Sequence, residues 1–422
     1  MNVIITPNRL IGDVIIPPSK SLSHRAIIAA SLADGVSKIS NIMYSNDIIA
    51  TINAMRALGA SIEEYEDYLI IKGSKVKRES DVIDANESGS TIRFMIPIAL
   101  TINEPITFVG KNNLVKRPLD TFFNIFDEQE IEYEHGEDYL PLKVYQGLKS
   151  GVYHVRGDIS SQFITGLLYA LPLLDGDSEI YVTTNMESKG YIDLTLDVLK
   201  QFGIEIINNN YQLFKIKGNQ QYKPYDYMVE GDYSQAAFFL VADALGANIN
   251  LLAMNENSHQ GDKKIIDDIK SLGYDVEFKN NYLLSRFNDN NKWNVIDFSQ
   301  SPDLGPALAV LASLTKGKTE FINAGRLRIK ECDRITCVKE ELNKLGAKIE
   351  ELEDGMIING VDTLNGGTVD SHNDHRLVMA FAMATLKMNG KIKILNANAV
   401  SKSFPNFFKV FEKIGGIVEY EE

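Results

Sequence analysis

The strongest constraint on the fold is a weak internal repeat that occurs six times along the 422 residues. In each copy a short strand ends near an Asn, a polar segment follows, and an amphipathic helix comes next. The closing positions of the six copies lie about 70 residues apart, and a Gly just after such a helix is typical of a helix C-terminus. These closing positions are Gly59, Gln129, Gly203, Gly273, Gly346 and Gly415.

A second kind of helix alternates with the amphipathic one. It opens on a polar turn and is apolar on almost every side, which is typical of a helix buried inside a domain. Two helices and several strands in each of six repeats predict an α/β protein. Three repeats per domain would give two domains of about 200 residues, a common size for a domain.

Composition excludes several classes of protein. The net charge of −14 argues against a nucleic-acid-binding protein, which would normally carry a basic face. The two cysteines, Cys332 and Cys337, are too few for a disulfide scaffold and fit a reducing compartment. The sequence starts without a signal-peptide pattern and has no apolar run long enough to span a membrane, so we expect a cytoplasmic protein with no membrane partner.

The polar turns that open the apolar helices are candidate anion sites. A helix N-terminus offers free N–H groups and a partial positive charge, and hydroxyl groups add further donors. Residues 19–25, 88–93 and 160–162 are three such turns, and Gly89 lets a ligand approach the backbone closely. Basic residues fall in the same turns or at the entrances of the amphipathic helices: Lys20, Arg25, Arg93, Lys116, Arg117, Arg326, Arg328, Lys330, Arg334, Arg376 and Lys402.

Other chemistries have weaker support. The segment from His372 to Arg376 contains two His and one Asp, but no further ligands of a closed metal site are evident. The cysteines lack zinc-finger spacing to a His. Neither a GxxxxGK[ST] nor a GxGxxG motif is present, so the chain is not a recognisable kinase or nicotinamide enzyme.

Ten motifs along the chain resemble those of the 5-enolpyruvylshikimate-3-phosphate synthase family, the 3-phosphoshikimate 1-carboxyvinyltransferases, in the order in which that family carries them. They are PSKSLSHR, SGSTIR, KRP, SSQF, SKGYID, GDYSQAA, SPDLGP, IKECDR, NDHR and SKSFP. No single motif would suffice, but ten in order along the whole chain are a specific signal.

The resemblance implies a fold of two lobes, each made of three βαβαββ repeats in an inside-out α/β barrel, with the active site in the cleft between the lobes. The first residues are implied to pair with the C-terminal half. We therefore expect one lobe from residues 1–13 and 226–422 and the other from residues 14–225. We expect a monomer that needs no cofactor and no metal, and that acts on small-molecule substrates without binding nucleic acid.

The implied reaction is transfer of the enolpyruvyl group of phosphoenolpyruvate to the 5-hydroxyl of shikimate 3-phosphate, with release of phosphate. Matching positions carry over as three sets of residues. The implied shikimate 3-phosphate set is Lys20, Ser21, Arg25, Ser160, Ser161, Ser188, Asp303 and Lys330. The implied phosphoenolpyruvate set is Lys20, Gly89, Arg117, Gln162, Arg334, Arg376 and Lys402. The implied catalytic set is Asp303, Glu331 and Lys20, with Asp303 as base and Glu331 as proton shuttle, although the two carboxylates can also be assigned in the reverse order.

Two alternatives remain open at this stage. One is the related enzyme that transfers enolpyruvate to UDP-N-acetylglucosamine, which usually carries a Cys in its first half, whereas both cysteines here lie in the second half. The other is a non-catalytic repeat protein that binds anions. Phosphate release from phosphoenolpyruvate, measured with each acceptor in turn, distinguishes these two alternatives from the implied reaction.

Overall fold

The computed structural model describes residues 1–279, 282–287 and 294–421, which form 24 strands and 12 α-helices. The strands are β1 (Asn2–Thr6), β2 (Ile11–Ile15), β3 (Gly35–Ser40), β4 (Ser61–Glu64), β5 (Tyr68–Gly73), β6 (Val82–Asp84), β7 (Ile106–Val109), β8 (Tyr133–His135), β9 (Leu142–Val144), β10 (Val152–Val155), β11 (Ser178–Val182), β12 (Ile206–Asn209), β13 (Leu213–Ile216), β14 (Tyr227–Met228), β15 (Asn248–Leu252), β16 (Tyr274–Lys279), β17 (Tyr282–Phe287), β18 (Asn294–Asp297), β19 (Lys318–Ile322), β20 (Lys348–Leu352), β21 (Gly355–Asn359), β22 (Leu364–Asp370), β23 (Met388–Leu395) and β24 (Ile417–Glu421).

The helices alternate with these strands. They are α1 (Lys20–Leu32), α2 (Asn46–Ala57), α3 (Gly89–Ala99), α4 (Asp120–Gln129), α5 (Ser161–Ala170), α6 (Lys189–Gln201), α7 (Tyr233–Ala244), α8 (Ile265–Ser271), α9 (Gly305–Ser313), α10 (Arg334–Lys344), α11 (His375–Ala384) and α12 (Phe407–Lys413). Short 3₁₀ helices occupy Asn112–Lys116, Leu171–Leu173, Gly261–Lys264, Pro302–Leu304, Gly325–Ile329, Thr385–Lys387 and Ala397–Lys402. Among the described helices, none combines the length and the apolar character needed to cross a bilayer.

The strands form six four-stranded sheets that share one topology. In the sheet β6-β7-β9-β8, β6 and β7 are parallel, whereas β9 is antiparallel to both β7 and β8. The sheet β18-β19-β21-β20 repeats this pattern strand for strand. The sheet β6-β7-β9-β8 with its two helices is therefore one βαβαββ repeat, because the parallel strands β6 and β7 are joined through α3 whereas β8 and β9 form a hairpin.

Three sheets take one strand from a distant part of the chain. Strand β1 lies between β23 and β24, and β2 pairs in parallel with β15. Strand β14 pairs in parallel with β3. The chain divides into two compact units, which we name unit 1 (Met1–Ser19 with Glu230–Glu422) and unit 2 (Lys20–Val229). The sequence-based lobe boundaries after residues 13 and 225 stay a prediction.

The uniformly apolar helices are buried, as the sequence predicts. Every residue of α7 and of α9 is buried, and in unit 1 these two helices pack against each other and against α11. In unit 2, α3 packs on α5 and α1 packs on α6. The buried helices bring their N-terminal turns, where the candidate anion-binding residues lie, into defined positions within each unit.

The predicted helix ends are confirmed at five of the six closing positions, where the Gly has a positive φ of 81° to 106°. The prediction for Gln129 is wrong, because Gln129 is the last residue of α4 and Glu130 takes the left-handed conformation, with φ 56°. The amide of Glu130 donates to the carbonyls of Phe126 and Asp127, so this residue satisfies the helix end despite its Cβ.

Candidate active site

Asp303 in unit 1 contacts three of the predicted cations. It lies in the short helix Pro302–Leu304, directly before α9. Its Oδ1 atom is 2.9 Å from Arg334 Nη1 and 3.3 Å from Lys330 Nζ, and its Oδ2 atom is 3.3 Å from Arg376 Nη2. We name Asp303, Lys330, Glu331, Arg334, Asp374 and Arg376 the acid–cation cluster.

Arg334 is the centre of the acid–cation cluster. It begins α10, which Asp333 caps, and its side chain is only 1% exposed. Besides Asp303, its guanidinium donates to Glu331 Oε2 at 2.5 Å and to Asp374 Oδ2 at 2.7 Å. Burial lowers the pKa of Arg334, but the three carboxylates outweigh burial and hold it well above its usual range. Arg334 is therefore a fixed and permanent cation.

Protonation in the cluster follows from the same contacts. Burial raises the pKa of Asp303, yet Arg376, Lys330 and Arg334 together bring it well below its usual range, so this carboxylate is ionised. Burial lowers the pKa of Lys330 to about 8, because the attraction of Asp303 is opposed by the neighbouring Arg334 and Arg326. The cluster thus pairs a stable carboxylate with an ammonium group that can lose its proton near neutral pH.

Asp374 belongs to the cluster, although the sequence reasoning did not select it. It is fully buried and caps α11, where its Oδ1 atom accepts from the Arg376 amide at 2.8 Å. The same carboxylate accepts two bonds from Arg334, at 2.7 and 3.3 Å. An Asp directly before a buried apolar helix is a recognisable capping signal. Asp374 therefore joins the start of α11 to the start of α10.

Lys402 and Arg376 have further partners on neighbouring segments. Lys402 ends the short helix Ala397–Lys402 and donates from Nζ to the carbonyl oxygen of Asn373 at 2.7 Å. Arg376 donates to Ser234 Oγ at 3.2 Å, in the first turn of α7. The predicted cations of unit 1 thus lie at the starts of α10 and α11 and close to the start of α7.

In unit 2, α1 carries the first group of predicted residues. Lys20 begins α1 and pairs with Asp47 at 2.7 Å. Arg25 is buried and donates to the carbonyl oxygens of Ser21 and Tyr191 and to Thr195 Oγ1, at 2.8 to 3.0 Å. All of these partners are neutral oxygens, and burial lowers the pKa of Arg25. A buried guanidinium held only by neutral groups is suited to bind an anionic ligand.

The starts of α3 and α5 form the second group in unit 2. A Cβ placed on Gly89 would lie 2.6 Å from Arg117 Nη1, so the Arg117 guanidinium packs directly against this glycine. Gln162 accepts from Arg93 Nη1 and donates to Ser90 Oγ, both at 2.9 Å. Arg93 was noted in the sequence only as a basic residue, and its contact with Gln162 fixes the side-chain amide.

The predicted serines of unit 2 occupy helix starts. Ser160 caps α5 through its hydroxyl, which accepts from the Gln162 amide at 3.3 Å. Ser161 is the first residue of α5 and is buried. Ser188 precedes α6 in a left-handed conformation, with φ 53°. Arg25 contacts the same helix, because it donates to the carbonyl oxygen of Tyr191 in its first turn. The cap on α5 explains Ser160 without a ligand, whereas the hydroxyl of Ser188 does not cap α6.

Sequence reasoning did not assign a role to His24. It is fully buried in α1, and its Nδ1 atom lies 2.7 Å from Thr51 Oγ1. Thr51 contacts Thr91 at 2.7 Å, and Thr91 donates to Ser88, the cap of α3. This chain of hydrogen bonds joins α1, α2 and α3 beneath the predicted residues Lys20 and Gly89. Burial, together with Lys20 and Arg25, lowers the pKa of His24 well below its usual value, so the ring is neutral.

In the part of the chain that the structure describes, no group of three or more His, Cys, Asp and Glu is arranged to hold a metal ion. His375 lies beside Asp374, but Asp374 already binds Arg334 and the Arg376 amide.

Comparison with known proteins gives a consistent result. A family model described as EPSP synthase (3-phosphoshikimate 1-carboxyvinyltransferase) matches residues 4–411. A 3-phosphoshikimate 1-carboxyvinyltransferase of Clostridium beijerinckii is 54% identical over 428 residues, covering 99% of this chain and 98% of that protein. Its counterpart in Clostridioides difficile is 52% identical and covers 98% of both chains. The solved EPSP synthase of Acinetobacter baumannii superposes with a TM-score of 0.82 at 26% identity over the full length of both chains.

Proposed function

The chain belongs to the EPSP synthase family, and we propose that it transfers the enolpyruvyl group of phosphoenolpyruvate to the 5-hydroxyl of shikimate 3-phosphate, with release of phosphate. This is the shikimate-pathway step that leads towards chorismate and the aromatic amino acids. The observation that carries the proposal is the contact of Asp303 with Lys330, Arg334 and Arg376. It combines a candidate base with the cations that anionic substrates require.

Both substrates carry a phosphate and a carboxylate, so their binding demands several fixed cations. Arg recognises planar carboxylates and phosphates through two parallel hydrogen bonds, whereas Lys acts as a point charge. Arg334 is held in place by three carboxylates, and Arg25 is held by three neutral oxygens. Cations that are already oriented lose little freedom when the substrate binds and stabilise negative charge that develops later.

We assign shikimate 3-phosphate to a set made mostly of unit 2 residues. In this set Arg25 binds the shikimate carboxylate, and the hydroxyls at the starts of α5 and α6 bind the 3-phosphate. Helix starts suit phosphate because their free N–H groups add to the hydroxyl donors. The full set is Lys20, Ser21, Arg25, Ser160, Ser161, Ser188, Asp303 and Lys330.

We assign phosphoenolpyruvate to a set of residues from each unit, most of which lie at helix starts. The contact of Arg117 with Gly89 and the fixed amide of Gln162 support this set in unit 2. The contact of Asp374 with Arg334 and with the Arg376 amide supports it in unit 1. The full set is Lys20, Gly89, Arg117, Gln162, Arg334, Arg376 and Lys402.

Proton transfer is assigned to Asp303 and Glu331, with Lys20 as a further catalytic cation. In the addition step, the 5-hydroxyl oxygen attacks C2 of phosphoenolpyruvate as Asp303 accepts the hydroxyl proton, and Glu331, which enters the step protonated, gives its proton to C3. In the elimination step, Glu331 takes one C3 proton back as the C2–O bond to phosphate breaks, and the proton held by Asp303 leaves with the phosphate. Such positioned proton transfers contribute about a hundredfold to ten-thousandfold in rate. Lys330, with a pKa of about 8, is suited to supply charge and a proton beside Asp303.

Phosphate release by the purified chain tests the function. We expect release from phosphoenolpyruvate only when shikimate 3-phosphate is also present, with one equivalent of enolpyruvyl product for each phosphate. UDP-N-acetylglucosamine replaces the acceptor in the control reaction and is expected to give no release. The proposal would be refuted if phosphate were released with UDP-N-acetylglucosamine instead of shikimate 3-phosphate. It would also be refuted if no phosphate were released with either acceptor.

We also propose that the chain works as a cytoplasmic monomer on small-molecule substrates. The low cysteine content and the net charge of −14 support this setting. Light scattering of the purified chain, with a mass close to 47.1 kDa expected, tests the monomer.

A further inference from the structure

The segment from Asp370 to Asp374 contains two consecutive residues with a left-handed backbone, His372 with φ 49° and Asn373 with φ 57°. A side chain with a Cβ disfavours this conformation, so two such residues in succession persist only where surrounding contacts hold them. We name residues 370–374 the strained turn. It connects β22 to α11 and lies next to the acid–cation cluster.

The far end of the strained turn contacts all three unit 1 cations of the phosphoenolpyruvate set. Asn373 offers its carbonyl oxygen to Lys402 Nζ at 2.7 Å. Asp374 accepts from Arg334 Nε at 2.7 Å and from the Arg376 amide at 2.8 Å. Two adjacent residues of the turn therefore bind the charged groups of Lys402 and Arg334 directly and hold the backbone that carries Arg376, so a shift of the turn would move all three residues.

Glu341 holds the near end of the strained turn. Its Oε1 atom lies 2.9 Å from His372 Nε2, and its Oε2 atom accepts from the Asp370 amide at 3.0 Å. Both oxygens also accept from Lys344 Nζ at 2.8 Å, and the Glu341 side chain is only 1% exposed. A carboxylate this buried is retained only with several donors, and it has them here.

Glu341 and Arg334 act on the turn from the same helix. They lie seven residues apart in α10, which is about two helical turns and places them on the same face. Arg334 binds the turn at Asp374, and Glu341 binds it at Asp370 and His372. Helix α10 thus binds the strained turn at both ends. Only the contact between Arg334 and Asp374 belongs to the acid–cation cluster.

A second segment, at Asn396, also holds the strained turn. Asp370 Oδ1 accepts from the His372 amide at 2.8 Å and from Asn396 Nδ2 at 2.9 Å. Ser371 donates from Oγ to the carbonyl oxygen of Asn396 at 3.1 Å. Asn396 itself has a left-handed backbone, with φ 56°, directly before the helix that ends at Lys402.

We propose that Glu341 is a positioning residue for phosphoenolpyruvate, which it never touches: it holds the strained turn in the conformation that presents Arg334, Arg376 and Lys402. The inference rests on the proposed function, because it takes these three cations as the phosphoenolpyruvate set. The affinity of unit 1 for phosphoenolpyruvate would then depend on Glu341, a buried carboxylate at the end of the turn away from the three cations.

Steady-state kinetics of the full chain with Glu341→Ala test this role. We expect the KM for phosphoenolpyruvate to rise roughly tenfold, in line with the loss of hydrogen bonds to a charged group, while the KM for shikimate 3-phosphate changes by less than about twofold. Glu341→Gln keeps an acceptor for the Asp370 amide and is expected to recover part of the affinity. Glu340→Ala is the matched control, because Glu340 is the exposed neighbour in α10 and should leave both constants unchanged.

His372→Asn provides an independent test that leaves α10 intact. Asn tolerates a left-handed backbone but is too short to reach Glu341, so we again expect a selective rise in the KM for phosphoenolpyruvate. His372→Gln, whose amide reaches as far as the imidazole Nε2, should restore affinity. If Glu341→Ala fails to fold, the His372 pair decides the question.

The outcomes separate the two proposals. Turnover by the unmodified chain together with an unchanged KM for phosphoenolpyruvate in Glu341→Ala and His372→Asn would overturn the positioning role alone. An equal rise in both KM values would also overturn it, because a general loss of structure acts on both substrates. Absence of turnover by the unmodified chain would instead refute the proposed function.

Discussion

Arg334 donates from Nη1 to Oδ1 of Asp303 at 2.9 Å, while its other two nitrogens bind Asp374 and Glu331. The guanidinium thus connects the candidate base to the candidate proton shuttle and to a buried helix cap. Any substrate group that binds Arg334 would do so beside the candidate base and the candidate proton shuttle.

Asp303→Ala is expected to lower kcat by roughly a thousandfold, because it removes the candidate base that lies beside Lys330 and Arg376. Shikimate 3-phosphate should still bind, since removal of the acid leaves three cations with more charge to offer an anion. Steady-state kinetics and calorimetric titration measure the two effects. Asp362→Ala, at an exposed position, is the control. Near-normal turnover in Asp303→Ala would remove it from the mechanism.

Activity is expected to fall as the pH rises through about 8, the pKa to which burial lowers Lys330. Below this pH Lys330 is charged and attracts an anionic substrate, and above it the group is neutral, so kcat/KM declines on the alkaline side. A pH profile of kcat/KM for shikimate 3-phosphate reports the free enzyme. Lys330→Arg keeps the charge throughout this range and should abolish the alkaline decline. An unaltered profile in that variant would contradict the assignment.

Gly89→Ala is expected to raise the KM for phosphoenolpyruvate, because the new Cβ would lie 2.6 Å from Arg117 Nη1 and force the guanidinium to move. We expect roughly a tenfold effect, equivalent to about 1.4 kcal/mol. A double-mutant cycle with Arg117→Ala checks the cause. If the substitution acts through Arg117, it should have almost no effect in the Arg117→Ala background. Additive losses in the double variant would show that Gly89 acts in another way.

Mild acid is expected to destabilise the fold through His24. Burial, with help from Lys20 and Arg25, lowers the pKa of His24 well below 6.5, so below pH 6.5 the unfolded chain binds a proton that the folded chain does not. The linked loss of stability is about 1.4 kcal/mol between pH 7.5 and 5.5.

Thermal melting of the unmodified chain and of His24→Asn over this pH range measures the effect. The variant should lose less stability on acidification, whatever its starting stability. Parallel pH dependence in the two proteins would mean that other groups cause the acid sensitivity.

The repeat pattern was enough to predict buried helices, because a helix that is apolar on all sides has only one stable environment. It failed at Gln129, where the left-handed residue is Glu130. Sequence favours Gly at such a position, but the helix end needs only a residue that can accept the conformation. The pairing of β14 with β3 is also hidden in the sequence, since β14 has two residues and no periodicity.

Arg117 and Arg334 were selected from the sequence as basic residues near helix entrances, and the structure places Arg334 in the acid–cation cluster and Arg117 against Gly89. Their roles in substrate binding stay a prediction. Asp374 was not selected from the sequence, because an Asp directly before a helix predicts only a cap and gives no sign of the contact with Arg334. Glu341 gave no signal at all, because a Glu in an amphipathic helix is usually exposed. Only the three-dimensional contact with His372 and the Asp370 amide distinguishes it from its neighbour Glu340.

Strand β1 lies between β23 and β24, where Val3 is paired with both Ile394 and Tyr420. During synthesis, residues 2–6 therefore leave the ribosome long before either partner strand exists. Unit 2 is one uninterrupted stretch, and a stretch of this kind can fold while the rest of the chain is still being made. Strand β1 can pair with β24 only once β24 has been synthesised, so unit 1 can complete its sheets only after translation has passed residue 421.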